Sequence, residues 1–232
     1  MVHNHQHNAN AALNPKLPYH PVNDFSPVTQ LTASGFLLLV LPLAPPKDLK
    51  SFIEWTRSYK GPLNYGTPGI GTGSHLSGAL YNLMARVNAN HIPYKGNAPA
   101  LVDLMGGQYQ YAFMGLATTV PLARAGKLRA IAVTTAKRLS ALPEVPALAE
   151  ELPGYEVVGW YGVLGPAKLP KPILTRLHDE LIDILKLPDV RQKILAEGAD
   201  VVGNTPEEFR QFLLADLDKW AKFVKATGAK AD

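Results

Sequence analysis

The pattern of hydrophobic and polar positions along this chain switches repeatedly between a strand type and a helix type. Short runs rich in β-branched and aromatic residues are separated by segments with apolar residues at every third or fourth position. This alternation is typical of repeated strand-helix-strand units and predicts an α/β fold with a mostly parallel sheet. The predicted strands are residues 36–40, 63–65, 90–93, 110–114, 128–134, 156–164 and 200–202.

The clearest helical pattern covers residues 73–86. Its apolar positions fall at i, i+3, i+4, i+7 and i+8, at Leu76, Ala79, Leu80, Leu83 and Met84. A further helix over 205–227 has a capping-box start, Thr205-Pro206-Glu207-Glu208. The other predicted helices are residues 47–59, 98–105, 119–125, 145–151, 171–185 and 188–197.

Two proline-rich runs suggest how the chain divides. Residues 42–46 follow the first strong strand, and residues 165–172 follow the strand that ends near Leu164. If both runs are crossings between lobes, residues 1–42 and 161–232 form one lobe and residues 43–160 form an inserted second lobe. The sequence therefore predicts two α/β lobes.

The charge of the chain is mild overall but uneven. The 232 residues carry a formal net charge of +4. Residues 55–143 contain nine Lys and Arg side chains against one carboxylate, Asp103, a balance of +8. A basic middle segment favours anions as ligands. Because the bases are scattered singly between apolar runs, a nucleic-acid interface fits less well, and a basic surface without a binding role stays open.

Composition excludes several other classes of protein. With 47% hydrophobic and 18% charged residues, the chain has the balance of a packed globular protein. It has no cysteine, which excludes disulfides, thiolate metal sites and a cysteine nucleophile. The apolar run 35–44 is shorter than the ~20 residues of a spanning helix and predicts a buried strand. Residues 1–10 show no secretory signal pattern.

The most informative stretch is residues 64–75, Asn-Tyr-Gly-Thr-Pro-Gly-Ile-Gly-Thr-Gly-Ser-His, which we call the glycine loop. It lies between a predicted strand and the helix over 73–86. Glycines allow backbone N–H groups to approach a ligand, and a helix N-terminus adds unpaired donors and partial positive charge. An ordinary turn with Ser74 as its N-cap is the alternative. The candidate ligand-binding residues are Thr67, Gly69, Gly71, Thr72, Gly73, Ser74 and His75.

Motifs for nucleotides and for catalysis are missing. The loop has Ser74 where a dinucleotide-binding fingerprint needs a glycine, and no Gly-Lys-Ser/Thr follows for a P-loop. No Gly-x-Ser-x-Gly or His-Glu-x-x-His motif occurs, so we predict no catalytic residues and no cofactor. The alternating His3, His5 and His7 have a spacing that suits a metal on a strand, but a disordered polar chain end is the favoured interpretation, and no metal site is predicted.

Several further motifs accompany the glycine loop along nearly the whole chain. They are Lys16-Leu17-Pro18-Tyr19 with Asp24-Phe25, Ile92-Pro93-Tyr94-Lys95-Gly96 with Ala98-Pro99-Ala100, Ala125-Gly126-Lys127-Leu128-Arg129-Ala130, Pro153-Gly154-Tyr155-Glu156 with Trp160-Tyr161-Gly162, and Thr205-Pro206-Glu207-Glu208-Phe209. In their order and spacing, these motifs resemble the Bug-type receptors of tripartite tricarboxylate transporters, which are bacterial periplasmic binding proteins.

This resemblance implies a type II, Venus-flytrap fold of two α/β lobes and a non-enzymatic receptor for a small organic anion. The ligand carboxylate is expected to contact the glycine loop and a facing strand end at Met114, Gly115 and Leu116, with Tyr94 and Trp160 as further members of the site. Implied partners are the membrane subunits of a transporter, with no nucleic acid and no insertion of this chain into the membrane. The implied location of the full-length protein is the periplasm.

Two departures from the family pattern shape the expectation. The chain begins downstream of the family's secretion signal and of its first strand, pocket loop and helix, so we expect an incomplete first lobe. Met114-Gly115-Leu116 is apolar where many relatives carry an acidic or amide residue, which favours a simple carboxylate over an amino acid. An enzyme acting on a small carboxylic acid, or a remnant without function, stays open as an alternative.

Overall fold

The computed structural model describes residues 1–4, 6–14, 16–139 and 142–227. Helices and strands alternate along most of the chain, so the predicted α/β class is confirmed. The elements in chain order are β1 (Val2–Asn4), α1 (Gln6–Leu13), β2 (Phe25–Ser34), β3 (Phe36–Val40), α2 (Leu49–Ser58), β4 (Asn64–Thr67), α3 (Gly73–Ala85), β5 (Asn90–Pro93), α4 (Asn97–Met105), β6 (Tyr111–Gly115), α5 (Leu116–Arg124), β7 (Arg129–Val133), a 3-10 turn (Leu148–Glu150), β8 (Gly159–Pro166), α6 (Lys171–Lys186), α7 (Pro188–Ala196), β9 (Asp200–Val201) and α8 (Pro206–Thr227).

The chain forms two compact units: unit 1 comprises residues 1–33 and 159–232, and unit 2 comprises residues 34–158. The chain therefore crosses between the units at residues 33/34 and 158/159, whereas the sequence predicted crossings at 42/43 and 160/161. Strand β3 belongs to the inserted unit, and the proline-rich run 42–46 lies inside that unit. The guanidinium of Arg129 holds this run in place by donating to the carbonyls of Ala44 and Pro46, at 3.1 and 2.8 Å.

Unit 2 is built on a five-stranded sheet with the order β5-β4-β6-β3-β7. Strand β4 runs parallel to β5 and β6, whereas β3 runs antiparallel to β6 and β7. The expectation of a mostly parallel sheet is thus wrong for the pairings of β3. A strand buried on both faces is a continuous apolar run whose pattern is the same in either direction, so its sequence cannot reveal its orientation.

The core of unit 2 covers both faces of this sheet. All five residues of β3 are buried, and Leu37 and Leu39 pack in a cluster with Leu104, Ala112 and Met114. An aromatic group consists of Phe52, Tyr81 and Tyr111, whose ring centroids lie 5.3 to 6.0 Å apart. Burial of each large apolar side chain contributes about 1.5–3 kcal/mol. The sheet is therefore a rigid base for the loops at its edge.

Unit 1 contains a four-stranded sheet with the order β1-β8-β2-β9. Its core includes Val22, Trp160, Leu164, Phe209 and Leu213. Strand β2 was not predicted, because its sequence Phe-Ser-Pro-Val-Thr-Gln-Leu-Thr-Ala-Ser mixes polar residues and a proline into the run. Among the helices of the described residues, none is long and apolar enough to cross a membrane.

Two helix predictions had opposite outcomes. The capping box at the start of α8 is confirmed, since the Thr205 N–H donates to Glu208 Oε2 at 2.8 Å and the Glu208 N–H donates to Thr205 Oγ1 at 3.2 Å. The predicted helix over 145–151 is wrong, because only the 3-10 turn Leu148–Glu150 forms there. Pro146 and the Pro153-Gly154 pair confine this segment to a length at which helix nucleation is unfavourable.

Candidate functional site

The glycine loop connects the end of β4 to the start of α3, as predicted. Thr72 is the N-cap of α3: its backbone is extended, and its Oγ1 accepts the N–H of His75 at 3.2 Å. Ser74, the N-cap in the alternative interpretation of the loop as an ordinary turn, instead lies inside the first turn and is 2% exposed. The loop therefore presents the N-terminus of a 13-residue helix, where backbone N–H groups and the helix dipole favour an anion.

Two glycines give the loop its shape. Gly69 and Gly71 have φ values of 156° and 71°, in the region that L-residues with a side chain rarely adopt. The Gly69 carbonyl accepts a hydrogen bond from Thr72 Oγ1 at 2.7 Å, and the Gly71 N–H donates to Nδ1 of His75 at 3.2 Å. The loop is thus folded back on the first turn of α3.

Thr67 and His75 both contact a residue that was not predicted, His91 of β5. Thr67 Oγ1 lies 2.6 Å from Nε2 of His91, and the rings of His75 and His91 stack with centroids 4.1 Å apart at an angle of 12°. Burial, and secondarily the neighbouring His75, lowers the pKa of His91 to about 3. The His91 ring is therefore neutral at physiological pH.

The charge around the loop suits a negative ligand. Residues 64–75 contain no carboxylate. The one carboxylate of the basic middle segment, Asp103, accepts a hydrogen bond from the Tyr94 hydroxyl at 2.8 Å. Burial, together with Asp103, raises the pKa of Tyr94 to about 12. Tyr94 thus directs its hydroxyl to Asp103, while its backbone N–H donates to the Thr67 carbonyl at 3.0 Å and supports the loop.

The predicted strand end at Met114, Gly115 and Leu116 lies at the same edge of the sheet as the glycine loop. Strands β4 and β6 are parallel, with Gly66 opposite Ala112, so Thr67 and Gly115 both lie at carboxyl ends. Ligands of open α/β sheets bind at this edge. The side chains of Met114 and Leu116 are buried in the core cluster, which leaves the backbone around Gly115 as the part that can meet a ligand.

Trp160, the remaining predicted site residue, belongs to unit 1 and is fully buried. Its indole ring packs against Phe209 and Phe212 with centroids 5.6 and 5.9 Å apart, and its N–H donates to Asp216 Oδ2 at 3.3 Å. An aromatic residue beside a motif is a weak signal for a binding site, since most such residues fill cores. The side chain of Trp160 is occupied by packing within unit 1.

One histidine of the histidine-rich start of the chain lies in a helix. His7 lies in α1, is 7% exposed, and places Nε2 2.7 Å from the Pro21 carbonyl. Burial lowers the pKa of His7. The expectation of a disordered end is therefore wrong at this position; His5 and the side chain of His3 lie outside what the structure describes. In the described part of the chain, no group of three or more His, Asp or Glu side chains could hold a metal ion.

The sequence matches a known family over nearly its whole length. A model of the tripartite tricarboxylate transporter family receptor matches residues 1–229. The chain is 31% identical over 212 residues to the UPF0065 protein in the tcbD-tcbE intergenic region of Pseudomonas sp. strain P51, covering 90% of this chain and 63% of that protein. It is 30% identical over 220 residues to protein BugT of Bordetella pertussis, covering 94% of this chain and 68% of that protein. The chain thus spans roughly two thirds of the length of these curated relatives.

Solved structures agree with this assignment. Rpa4515 of R. palustris, solved with adipate, superposes with a TM-score of 0.86 at 32% identity, covering 99% of this chain and 77% of that one. MatC from Rhodopseudomonas palustris, solved with bound malate, superposes with a TM-score of 0.81 at 34% identity, covering 96% and 78%. The chain belongs to the tripartite tricarboxylate transporter receptor family and has the two-unit fold of the periplasmic binding proteins.

Proposed function

We propose that this chain is the ligand-binding part of a periplasmic receptor that captures a small carboxylate and does not convert it. The observation that carries the proposal is the glycine loop at the N-terminus of α3. Its glycines Gly69 and Gly71 fold the loop back on the first turn, which presents the backbone N–H groups of Thr72 and Ser74, and it contains no carboxylate. An ionised carboxylate accepts such N–H groups in short, charge-assisted hydrogen bonds.

The candidate contacts are the backbone N–H groups of Thr72 and Ser74, the His75 ring and the backbone around Gly115. The Gly69 and Gly71 N–H groups and the Thr72 hydroxyl donate within the loop and hold its shape. Thr67 is fully buried and acts behind the loop. Trp160 is left out, since its side chain packs in the core of unit 1. Two structural relatives were solved with adipate and malate, which supports a small dicarboxylate as the ligand class.

The wider role follows from the family. We infer that the full-length protein works in the periplasm and delivers its ligand to the membrane subunits of a tripartite tricarboxylate-type transporter. The absence of nucleotide-binding and hydrolase motifs from the sequence supports a receptor over an enzyme.

Calorimetry and thermal unfolding test the proposal. Malate and adipate should raise the melting temperature in proportion to the logarithm of their concentration above Kd, whereas ATP and NAD should not. Proton NMR of the incubated acid should show it unchanged. Stabilisation by nucleotides alone, or conversion of the acid, contradicts the proposed function.

A further inference from the structure

His91 contacts residues at both ends of the glycine loop, Thr67 and His75. It lies in β5, opposite Tyr65 of β4, and is half-buried. The Tyr65 ring stacks on one side of the imidazole with centroids 5.0 Å apart, and the His75 ring stacks at 4.1 Å. The plane of the imidazole is therefore fixed by neighbours from β4 and α3.

The first half of the loop is held through Thr67. Its hydroxyl lies 2.6 Å from Nε2 of His91 and 3.3 Å from both the N and the O atoms of Gly69. The Thr67 side chain is fully buried, so these contacts are shielded from water. Loss of the His91 nitrogen thus leaves a buried hydroxyl without its shortest hydrogen bond and removes the partner that fixes this hydroxyl beside Gly69.

The second half of the loop is held through His75. The stacked His91 ring fixes the plane of the His75 ring, and His75 Nδ1 accepts the Gly71 N–H at 3.2 Å. One imidazole therefore contacts both halves of the loop, by a hydrogen bond on one side and by its π-face on the other. Because its ring is neutral, it adds no permanent charge to an anion site.

We propose that His91 is a positioning residue of the carboxylate site, which holds the backbone at Gly69 and Gly71 in place through Thr67 and His75 without touching the ligand. This inference rests on the proposed function. If His91 positions the loop, strand β5 contributes to the affinity for the carboxylate as well as to the fold.

Two substitutions separate the two contacts. His91→Phe keeps an aromatic face for His75 but removes Nε2, so the Gly69 half of the loop should be released. His91→Gln removes the aromatic face but offers an amide to Thr67, so the Gly71 half should be released. In ¹H–¹⁵N spectra without ligand, the Gly69 amide should shift more in the first variant and the Gly71 amide more in the second.

Affinity supplies the quantitative test, by calorimetry with malate. His91→Phe should weaken binding about fivefold to tenfold, as expected for one hydrogen bond, and Thr67→Val at least as much, because it also removes the contacts to Gly69. The double variant should be no weaker than Thr67→Val alone, because that substitution already removes the contact to His91. Ile92→Ala is the control for general destabilisation of β5. Ile92 packs against the core cluster that contains Leu104 and Met114, away from His91, so this substitution should lower the melting temperature and leave Kd within about twofold.

The outcomes are distinct. If the unsubstituted chain binds no carboxylate, the proposed function fails and the role of His91 fails with it. If the unsubstituted chain binds malate and His91→Phe binds equally well, only the present inference is overturned. It is likewise overturned if Thr67→Val and His91→Phe multiply in their effects, or if Kd follows the melting temperature across all variants, Ile92→Ala included.

Discussion

Two clusters of polar groups, one in each unit, differ in the donors and acceptors that form them. In unit 1, Asp216 accepts N–H groups from Asn8 and Trp160, at 3.0 and 3.3 Å, in a cluster of side chains. In unit 2, the glycine loop consists mainly of backbone donors around the start of α3, supported from behind by Thr67 and His91. The partly buried carboxylate of unit 1 has its donors within the fold, whereas the loop of unit 2 contains no carboxylate, which is the basis of the proposed anion site.

The largest expected effect is in the unit 1 cluster. Trp160→Ala removes a fully buried indole and should cost about 3–5 kcal/mol of unfolding free energy. Tyr161→Ala, one residue along the same strand and 51% exposed, is the matched control and should cost less than about 1 kcal/mol. Urea unfolding measures both. Equal losses contradict a structural role for Trp160.

A pH-dependent effect should follow from Asp216. Burial raises its pKa from 3.8 to about 6, with the N–H donors acting in the opposite direction. The folded chain therefore binds this proton more tightly than the unfolded chain does. The resulting stabilisation, up to about 3 kcal/mol, is fully present below pH 4 and is lost as the pH rises through 6.

Asp216→Asn should flatten this part of the stability profile between pH 4 and 7, as followed by urea unfolding. Asp218→Asn is the control, since Asp218 is exposed and pairs with Lys222 at 2.6 Å. A profile that stays unchanged in Asp216→Asn shows that the carboxylate does not titrate in this range.

In unit 2 the backbone of the loop should matter more for binding than for stability. Gly71→Ala places a side chain at a φ of 71° and should cost about 1–2 kcal/mol, while weakening malate binding at least about tenfold. Gly126→Ala imposes the same strain at a φ of 67°, with open space around it. Calorimetry should therefore find normal binding in Gly126→Ala; equal loss of affinity in both variants contradicts the placement of the site.

The smallest effect is expected at the helix caps. Thr72→Ala and Thr205→Ala each remove an N-cap hydroxyl, at the starts of α3 and α8, and each should cost about 1 kcal/mol. Only Thr72→Ala should weaken malate binding, by about threefold, because Thr72 Oγ1 also holds the Gly69 carbonyl. Thermal unfolding and calorimetry of the pair separate capping from binding.

The sequence predicted those parts of the molecule that depend on local pattern. Helix α3 follows from its apolar period, α8 from its capping box, and the glycine loop from its composition. The other features depend on contacts between residues that are far apart in the sequence. The role of His91 depends on the register of β4 with β5, and in the sequence it is one polar residue in a short strand. Likewise, an isolated aromatic residue gives no indication of the face it occupies, so Trp160 was assigned to the site although it fills the core of unit 1.

The central claim is that backbone N–H groups of the glycine loop bind a carboxylate, and an amide titration tests it most directly. Malate is added to the ¹⁵N-labelled chain while ¹H–¹⁵N spectra are recorded. The account predicts that the largest shifts occur at the amides of Thr72 and Ser74 and that the indole N–H of Trp160 stays in place. A saturating shift of the Trp160 indole with unchanged loop amides contradicts the account.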